Sequence, residues 1–149
     1  MLLNQSFRLG AAATWMLTAA ACAHQPAEAP LAAWPADSAW VLESSDVAGL
    51  ESPTGSGIEI RFEDGRLAGN SGCNQFSGAA ELGDAGAFKV GATVSTKRAC
   101  IGEGAGREAA MFKALGSVNR AVSLGDDRIR LDLDGGGQMT FVRRGPEAE

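Results

Sequence analysis

Residues 58–78 read IEIRFEDGRLAGNSGCNQFSG, and this stretch carries the clearest structural pattern in the chain. Ile58–Phe62 alternates three apolar side chains with two charged ones, which predicts a β-strand with one buried face. Glu63–Gly65 follows as a turn in which Gly65 can take a positive φ, and Leu67–Gly69 returns beside the first strand. The stretch therefore predicts a β-hairpin.

Further short strands are predicted on both sides of this hairpin, separated by turns rich in Gly and Asp. They are Trp40–Glu43, Phe76–Leu82, Phe88–Val94, Ala121–Leu124, Ile129–Leu133 and Met139–Val142. One segment breaks the period of two: Met111, Phe112, Leu115 and Val118 recur at helical spacing. This predicts one helix near residues 105–117, with Gly116 marking its carboxyl end.

The predicted elements define the fold class. About eight short strands and one helix, without βαβ alternation, indicate an α+β domain built on a small antiparallel sheet. A sheet of this size must protect its edges and cover one face. Curling into a partly open barrel, with the helix packed across the opening, achieves both.

The amino-terminal segment has the pattern of an export signal. Arg8 precedes a short apolar run, Leu9–Leu17, and small residues lead to Cys22. The run is too short to span a membrane as a helix. We predict a signal peptide over residues 1–21 and a lipid anchor on Cys22, because Ala19–Cys22 is similar to a lipobox. The alternative is ordinary cleavage after Ala21, which gives a soluble periplasmic or secreted protein with a free Cys22.

The residues after Cys22 predict a tether rather than a folded element. Residues 22–36 are rich in Pro and Ala and show little periodicity, as expected of a lipid-anchored, semi-extended linker. His24, the only histidine of the chain, lies in this linker and is predicted to be solvated. The folded domain is predicted over residues 37–143, followed by a loose tail at 144–149.

The charge of the exported part argues against nucleic-acid binding. All 18 acidic residues follow position 22, whereas one of the 13 basic residues precedes it, which leaves a net charge of 12 − 18 = −6. An acidic domain without a basic cluster repels phosphate backbones. We therefore expect no nucleic-acid partner.

The three cysteines have a simple accounting. Lipidation of Cys22 leaves Cys73 and Cys100 to form a disulfide in an oxidising compartment. The alternative is a redox-active pair or a cysteine nucleophile, although there is no C-x-x-C spacing and no histidine in the folded part to act as a base. Zinc is not expected, because two cysteines cannot fill a tetrahedral site unless carboxylates contribute.

The remaining polar motifs do not form a catalytic constellation in the sequence. Glu63–Asp64 and Asp126–Asp127 fall at predicted turns, where solvation explains them. Gly102–Gly106 precedes the helix but lacks the Lys-Ser/Thr end of a phosphate-binding loop. We therefore predict a protein that is not an enzyme and that carries no metal or cofactor.

The order of these motifs resembles the META/HslJ-like domain family. Its most specific part is the G-C-N-x-F-x-G block, followed about 20 residues later by a T-x-x-x-C block. The residues that match are Gly72, Cys73, Asn74, Phe76, Gly78, Thr96 and Cys100, flanked by Trp40-x-Leu42 and Glu108-x-x-x-Phe112. The resemblance covers about Trp40–Val142. The Gly-rich segment between Cys100 and Glu108 is a departure from the family pattern.

The resemblance implies a small envelope or secreted protein, often a lipoprotein, with no established enzymatic activity. Members include heat-shock-associated and virulence- or motility-associated proteins. The fold is also similar to the cracked barrel of secretin pilot lipoproteins, which implies an apolar groove for a lipid tail or a peptide.

These observations lead to one main hypothesis and two alternatives. We expect a monomeric lipoprotein that faces the periplasm and serves in stress response or envelope maintenance. Ala23, rather than Asp, follows Cys22 and favours the outer membrane. The first alternative is a module that binds an apolar ligand or an envelope protein partner in its groove. The second is a thiol oxidoreductase that uses Cys73 and Cys100.

Overall fold

A computed structural model describes residues 27–51 and 53–144. These residues form nine strands, one α-helix and a short 3-10 turn at Asp84–Gly86. The strands are β1 Ala29–Pro30, β2 Trp40–Ser45, β3 Ile58–Glu63, β4 Arg66–Ser71, β5 Gln75–Leu82, β6 Phe88–Ser95, β7 Val118–Ser123, β8 Arg128–Leu133 and β9 Gly137–Arg143. The helix, α1, spans Glu103–Leu115. The predicted α+β class is confirmed.

The strands form one antiparallel sheet in the order β1-β7-β8-β9-β2-β3-β4-β5-β6. From β2 to β6, and again from β7 to β9, each strand pairs with the next one along the chain. The long-range pairing of β2 with β9, in which Leu42 faces Phe141, joins these two halves. The sheet curls until a single bridge between Ala87 and Arg120 connects the region before β6 to β7. This is the expected partly open barrel.

Alternate side chains along each strand are apolar and point to the inside of the curled sheet. Ile58 and Ile60 of β3 are fully buried, as are Leu131 of β8 and Phe141 of β9. The charged residues between them stay toward solvent, as the period of two requires. The barrel interior is therefore a packed core.

The helix begins slightly earlier than the sequence indicates. It starts at Glu103 after Gly102, which provides no side-chain cap, and it ends at Leu115 with Gly116 as the C-cap. Met111 and Leu115 are buried against the sheet. Val118, which the helical spacing included, is instead the first residue of β7. Val118 is buried because it lies in the sheet. Its match to the helical spacing of the preceding residues is a coincidence.

The predicted boundary between linker and domain at residue 37 is wrong. The structure folds a segment of the predicted linker, residues 29–35 (the strap), onto the domain. Ala29 and Pro30 pair with β7, and the Leu31 N–H donates to the Ala121 carbonyl at 3.0 Å. Leu31 is buried, and Trp34 lies against Phe88 with ring centroids 5.4 Å apart. Apolar burial of these two side chains outweighs the conformational entropy lost when the segment is held on the domain.

The predicted signal peptide, Cys22 and His24 lie outside the described residues, so these predictions remain expectations. The predicted tail begins at Arg144, which still belongs to the fold because its N–H donates to the Ala39 carbonyl at 2.8 Å. Within residues 27–51 and 53–144, no helix has the length and apolar character needed to cross a membrane.

Candidate functional site

The turn between β4 and β5 positions the family motif. The Ser71 N–H donates to the Asn74 carbonyl at 2.8 Å and closes a tight turn around Gly72 and Cys73. Gly72 has φ +93°, a conformation that residues with a Cβ rarely adopt. The Gly72 N–H donates to Asn70 Oδ1 at 2.8 Å. The turn thereby directs Asn74 inward.

Asn74 is the centre of the site and is only 4% exposed. Its Oδ1 accepts from the Arg98 backbone N–H at 2.7 Å and from Thr96 Oγ1 at 2.8 Å. Because a backbone N–H can only donate, the atom facing it must be the oxygen, which fixes the orientation of the amide. Nδ2 then donates to Glu108 Oε2 at 2.8 Å. One amide thus joins the β4–β5 turn, the segment after β6 and helix α1.

The predicted disulfide closes the same region. Cys73 and Cys100 are bonded, with their Cα atoms 6.0 Å apart. We call the disulfide, Asn74, Thr96, the Arg98 backbone and Glu108 the polar node. Its members come from three separate segments of the chain, and each segment contributes at least one covalent or hydrogen-bonding group. The node therefore fastens the helix and the segment 96–102 to the sheet.

Glu108 is the part of the node that sequence reasoning did not assign. Its Oε2 lies 3.1 Å from Cys100 Sγ. A disulfide sulfur carries no proton, so this is a contact rather than a hydrogen bond. The sequence marked Glu108 only as a flanking position of the family pattern, because local periodicity cannot show what the polar face of a helix meets.

The node also brings together three atoms that are potential metal ligands. The sulfurs of Cys73 and Cys100 and a Glu108 carboxylate oxygen lie within 4.8 Å of one another. Metals bind thiolates, and in the disulfide both sulfurs are committed to each other. In the oxidised protein these three atoms therefore have a structural role, in which the disulfide holds the chain segments together.

The other motif residues serve packing. Phe76 of β5 meets Phe112 of the helix edge-to-face, with centroids 5.6 Å apart. Gly78 lies where β6 approaches closely, since a Cβ there would stand 2.8 Å from the Ala92 carbonyl oxygen. Of the predicted acidic pairs, Glu63 is the last residue of β3 and Asp64 begins the turn after it, whereas Asp126 and Asp127 lie in the bend between β7 and β8; all four are exposed. Neither pair belongs to the polar node.

A separate apolar cleft lies between the strap and the carboxyl-terminal end of β5. Its volume is about 750 Å³. It is lined mainly by small and apolar side chains, including Ala32, Ala33, Phe62 and Leu82, with Lys89 and Glu81 supplying charge. Ligand pockets are typically about 300–1,000 Å³ and mostly apolar, so the cleft has a suitable size and lining for a small apolar ligand.

Comparison with known proteins places the fold and the site in a family. The META domain matches residues 29–146, which include the strap and the entire polar node. The chain belongs to the META domain family. This match also begins where the structure begins to fold, at Ala29, rather than at residue 37.

Two solved structures resemble this META domain. One is the NMR structure of a protein from Burkholderia xenovorans, with a TM-score of 0.62 and 27% identity over 74% of this chain and 83% of that one. Another NMR structure has a TM-score of 0.50 and 21% identity over 70% and 87% of the two chains, and this shows the fold alone. None of the curated proteins compared with the chain matches it.

Proposed function

We propose that this META domain is a non-enzymatic envelope lipoprotein with a role in envelope maintenance under stress. The observation that carries the proposal is the Cys73–Cys100 disulfide within the polar node. Disulfides persist outside the reducing cytosol, which agrees with the export signal predicted over residues 1–21. Pairing of these two cysteines leaves Cys22 for the lipid. A lipid-anchored domain with Ala23 after the anchor would reside at the outer membrane and face the periplasm.

The hydrogen bonds of the polar node support a structural role for the motif residues. Asn74 is the most buried polar group of the motif, and its amide already bonds to Thr96, Arg98 and Glu108. A substrate would have to displace these bonds, and each buried group left without a partner costs about 1–3 kcal/mol. The motif is therefore better suited to holding the domain together than to chemistry.

Thiol oxidoreductase activity is less favoured by the same geometry. If the disulfide were reduced, the Glu108 carboxylate 3.1 Å from Cys100 Sγ would oppose formation of the thiolate that disulfide exchange requires. A measured reduction potential below about −300 mV, typical of structural disulfides, is the expected result. A potential in the range of disulfide-exchange enzymes would instead favour the oxidoreductase.

The envelope assignment is tested by the mass of the exported protein together with a genetic assay. Protein isolated from membranes should have lost residues 1–21, carry lipid on Cys22 and lack the two hydrogens of a closed disulfide. Cells that lack the gene should be sensitised to envelope stress and be rescued by the parent but not by Cys22→Ser. A mature mass without lipid, or full rescue by the serine variant, would contradict the anchored form.

The apolar cleft supports a second candidate, a module that holds an acyl chain. Buried side chains occupy the inside of the described sheet, and the ligand would lie in the cleft beside Ala33 and Leu82. Native mass spectrometry of protein purified from cells should then show a lipid adduct that Ala33→Trp removes by filling the cleft. A clean apo mass argues against this candidate, and a peptide adduct would favour the pilot-like alternative instead.

A further inference from the structure

The polar node contains a donor set that changes character with the redox state of the disulfide. Three potential ligand atoms, two sulfurs and one carboxylate oxygen, lie within 4.8 Å of one another. They are held by elements that the fold keeps in place: Cys73 by the β4–β5 turn, and Glu108 by α1 together with its bond from Asn74. Only Cys100 lies in an irregular segment, residues 96–102.

We propose that reduction of the Cys73–Cys100 disulfide converts the polar node into a binding site for a borderline-soft divalent cation such as Zn²⁺. A dithiol reductant transfers two electrons and two protons to the disulfide, and becomes a disulfide itself. The two resulting thiols release their protons to solvent as the cation binds. Both thiolates and the Glu108 carboxylate then coordinate the cation, with water as the fourth ligand.

The geometry agrees with the bond lengths of such a site. Zn–S bonds of about 2.3 Å at a tetrahedral angle place two thiolates roughly 3.8 Å apart. The sulfurs must therefore separate, which rotation of the Cys100 side chain in its irregular segment permits. The Cα separation of 6.0 Å need not change greatly. Glu108 Oε2, already 3.1 Å from Cys100 Sγ, needs to move only slightly to share a cation with it.

The charges explain why a cation is needed. A carboxylate beside a thiolate is repulsive, so without a cation the reduced cysteines stay protonated as neutral thiols. A divalent cation between these groups reverses the sign of the interaction, and two thiolates select zinc-like ions over Mg²⁺ or Ca²⁺. Asn74 donates to Glu108 and so orients this ligand, which is a typical role for a group behind a metal ligand.

The surface also leaves the sulfurs within reach of solvent. Cys73 and Cys100 are both only partly buried. Gly104 opposes them at the start of α1, where a Cβ would lie 3.8 Å from Cys100 Cβ and 4.0 Å from Cys73 Cβ. A larger residue would cover the sulfurs. Gly104 thus leaves this side of the two cysteines without a side chain of its own.

Cobalt titration of the exported protein tests the proposal, with Co²⁺ as a coloured substitute for Zn²⁺. The protein is titrated either oxidised, or reduced with a phosphine and freed of reductant without oxygen. We expect one Co²⁺ per reduced chain, with a thiolate-to-cobalt charge-transfer band that Zn²⁺ abolishes, and no binding to the oxidised form. The absence of this band from the reduced protein overturns the proposal.

Two matched variants separate a folded site from simple binding by free thiols. Glu108→Gln removes the proposed ligand, and we expect it to weaken Co²⁺ binding at least tenfold. Glu103→Gln alters an exposed residue five positions earlier on the same helix and should bind as the parent does. If reduction unfolds the domain, the two variants will bind equally, and equal binding refutes the site. The oxidised envelope role is judged separately by the mass and rescue assays.

Discussion

Replacing Asn74 with Asp should destabilise the domain in a way that depends strongly on pH. The side chains are nearly identical in shape, and Oδ1 keeps its acceptor role toward Arg98 and Thr96. The change replaces Nδ2, which donates to Glu108 Oε2 at 2.8 Å, with a second carboxylate oxygen. A hydrogen bond to a charged group thereby becomes a contact between two carboxylates.

The two carboxyl groups can either both stay charged or share one proton, and the cheaper of these two responses sets the loss of stability. Two full charges 2.8 Å apart repel by about 6 kcal/mol at an effective dielectric constant of about 20. Keeping one proton on the pair at pH 7 costs at most about 4 kcal/mol, since an ordinary carboxyl group has a pKa of roughly 4. Protonation is the cheaper response, and the shared proton replaces the lost hydrogen bond. We therefore expect the free energy of unfolding to fall by about 3–4 kcal/mol at pH 7.

The sign of the pH dependence follows from proton linkage. The folded variant binds one more proton than its unfolded chain at neutral pH, so its stability falls as pH rises, by about 1.4 kcal/mol per pH unit. Near pH 4 the two carboxyls of the unfolded chain together hold about one proton, as the folded pair does, and the variant should be within about 1 kcal/mol of the parent. Urea unfolding of the disulfide-intact protein from pH 4 to pH 7 measures this difference directly.

Asn119→Asp provides a matched control on the surface. Asn119 Nδ2 also donates to a carboxylate, Asp134 Oδ1, at 2.6 Å, but the pair is exposed to solvent. Water screens the new repulsion there, so the loss should stay below about 1 kcal/mol with little pH dependence. Two results would show that the assignment of the Nδ2 hydrogen bond to Glu108 is wrong. One is that Asn74→Asp lowers the free energy of unfolding at pH 7 no more than the control does. The other is that Asn74→Asp lowers it as much at pH 4 as at pH 7.

Three further substitutions test the contributions of the Cys73–Cys100 disulfide, the strap and a surface ion pair to stability. Changing Cys73 and Cys100 together to Ser should lower the free energy of unfolding by roughly 3–4 kcal/mol, because a loop of about 28 residues is freed in the unfolded chain; a loss below about 1 kcal/mol in denaturant melts would contradict this. Trp34→Ala should cost about 3 kcal/mol, since an aromatic ring leaves a packed cluster, and an unchanged melting temperature would show that the strap contributes nothing. Glu43→Gln should cost less than about 1 kcal/mol at pH 7, because the pair with Arg128 is partly exposed. The hydrogen bond from Arg128 lowers the pKa of Glu43, so this contribution is present above the ordinary carboxyl pKa and is lost as pH falls through the lowered one; a constant difference from pH 7 to pH 3 would contradict the linkage.

The local parts of the fold could be predicted because period and turn chemistry are local signals. The hairpin at Ile58–Gly69 and the helix that ends at Leu115 are examples, since each depends on residues close in sequence. Pairing of β2 with β9 was not visible, because it joins segments about 100 residues apart and leaves no local pattern. The strap was missed for a related reason: its prolines predict extended backbone correctly, but not that Leu31 and Trp34 find apolar partners on the sheet.

The candidate site likewise could be predicted in its local parts but not in its long-range contacts. Cysteine parity indicated that Cys73 and Cys100 form a pair, and the motif marked Asn74 and Thr96 as special. Their hydrogen-bonding partners, the Arg98 backbone and the Glu108 carboxylate, depend on how the helix docks at the end of the curl. A buried polar cluster of this kind is defined by three-dimensional geometry, so a single sequence can identify its members only in part.

The disulfide and the Asn74 hydrogen bonds of the polar node act on different states of the chain. The disulfide stabilises mainly by restricting the unfolded chain, whereas Asn74 contributes through hydrogen bonds that exist only in the folded one. Opening the disulfide should therefore lower stability without removing the contacts that position Glu108. That separation is what a redox-dependent cation site requires. In a chain without Asn74, reduction would release both the segment 96–102 and the carboxylate. We thus expect Asn74→Ala to abolish cobalt binding by the reduced protein even under conditions in which its oxidised form remains folded.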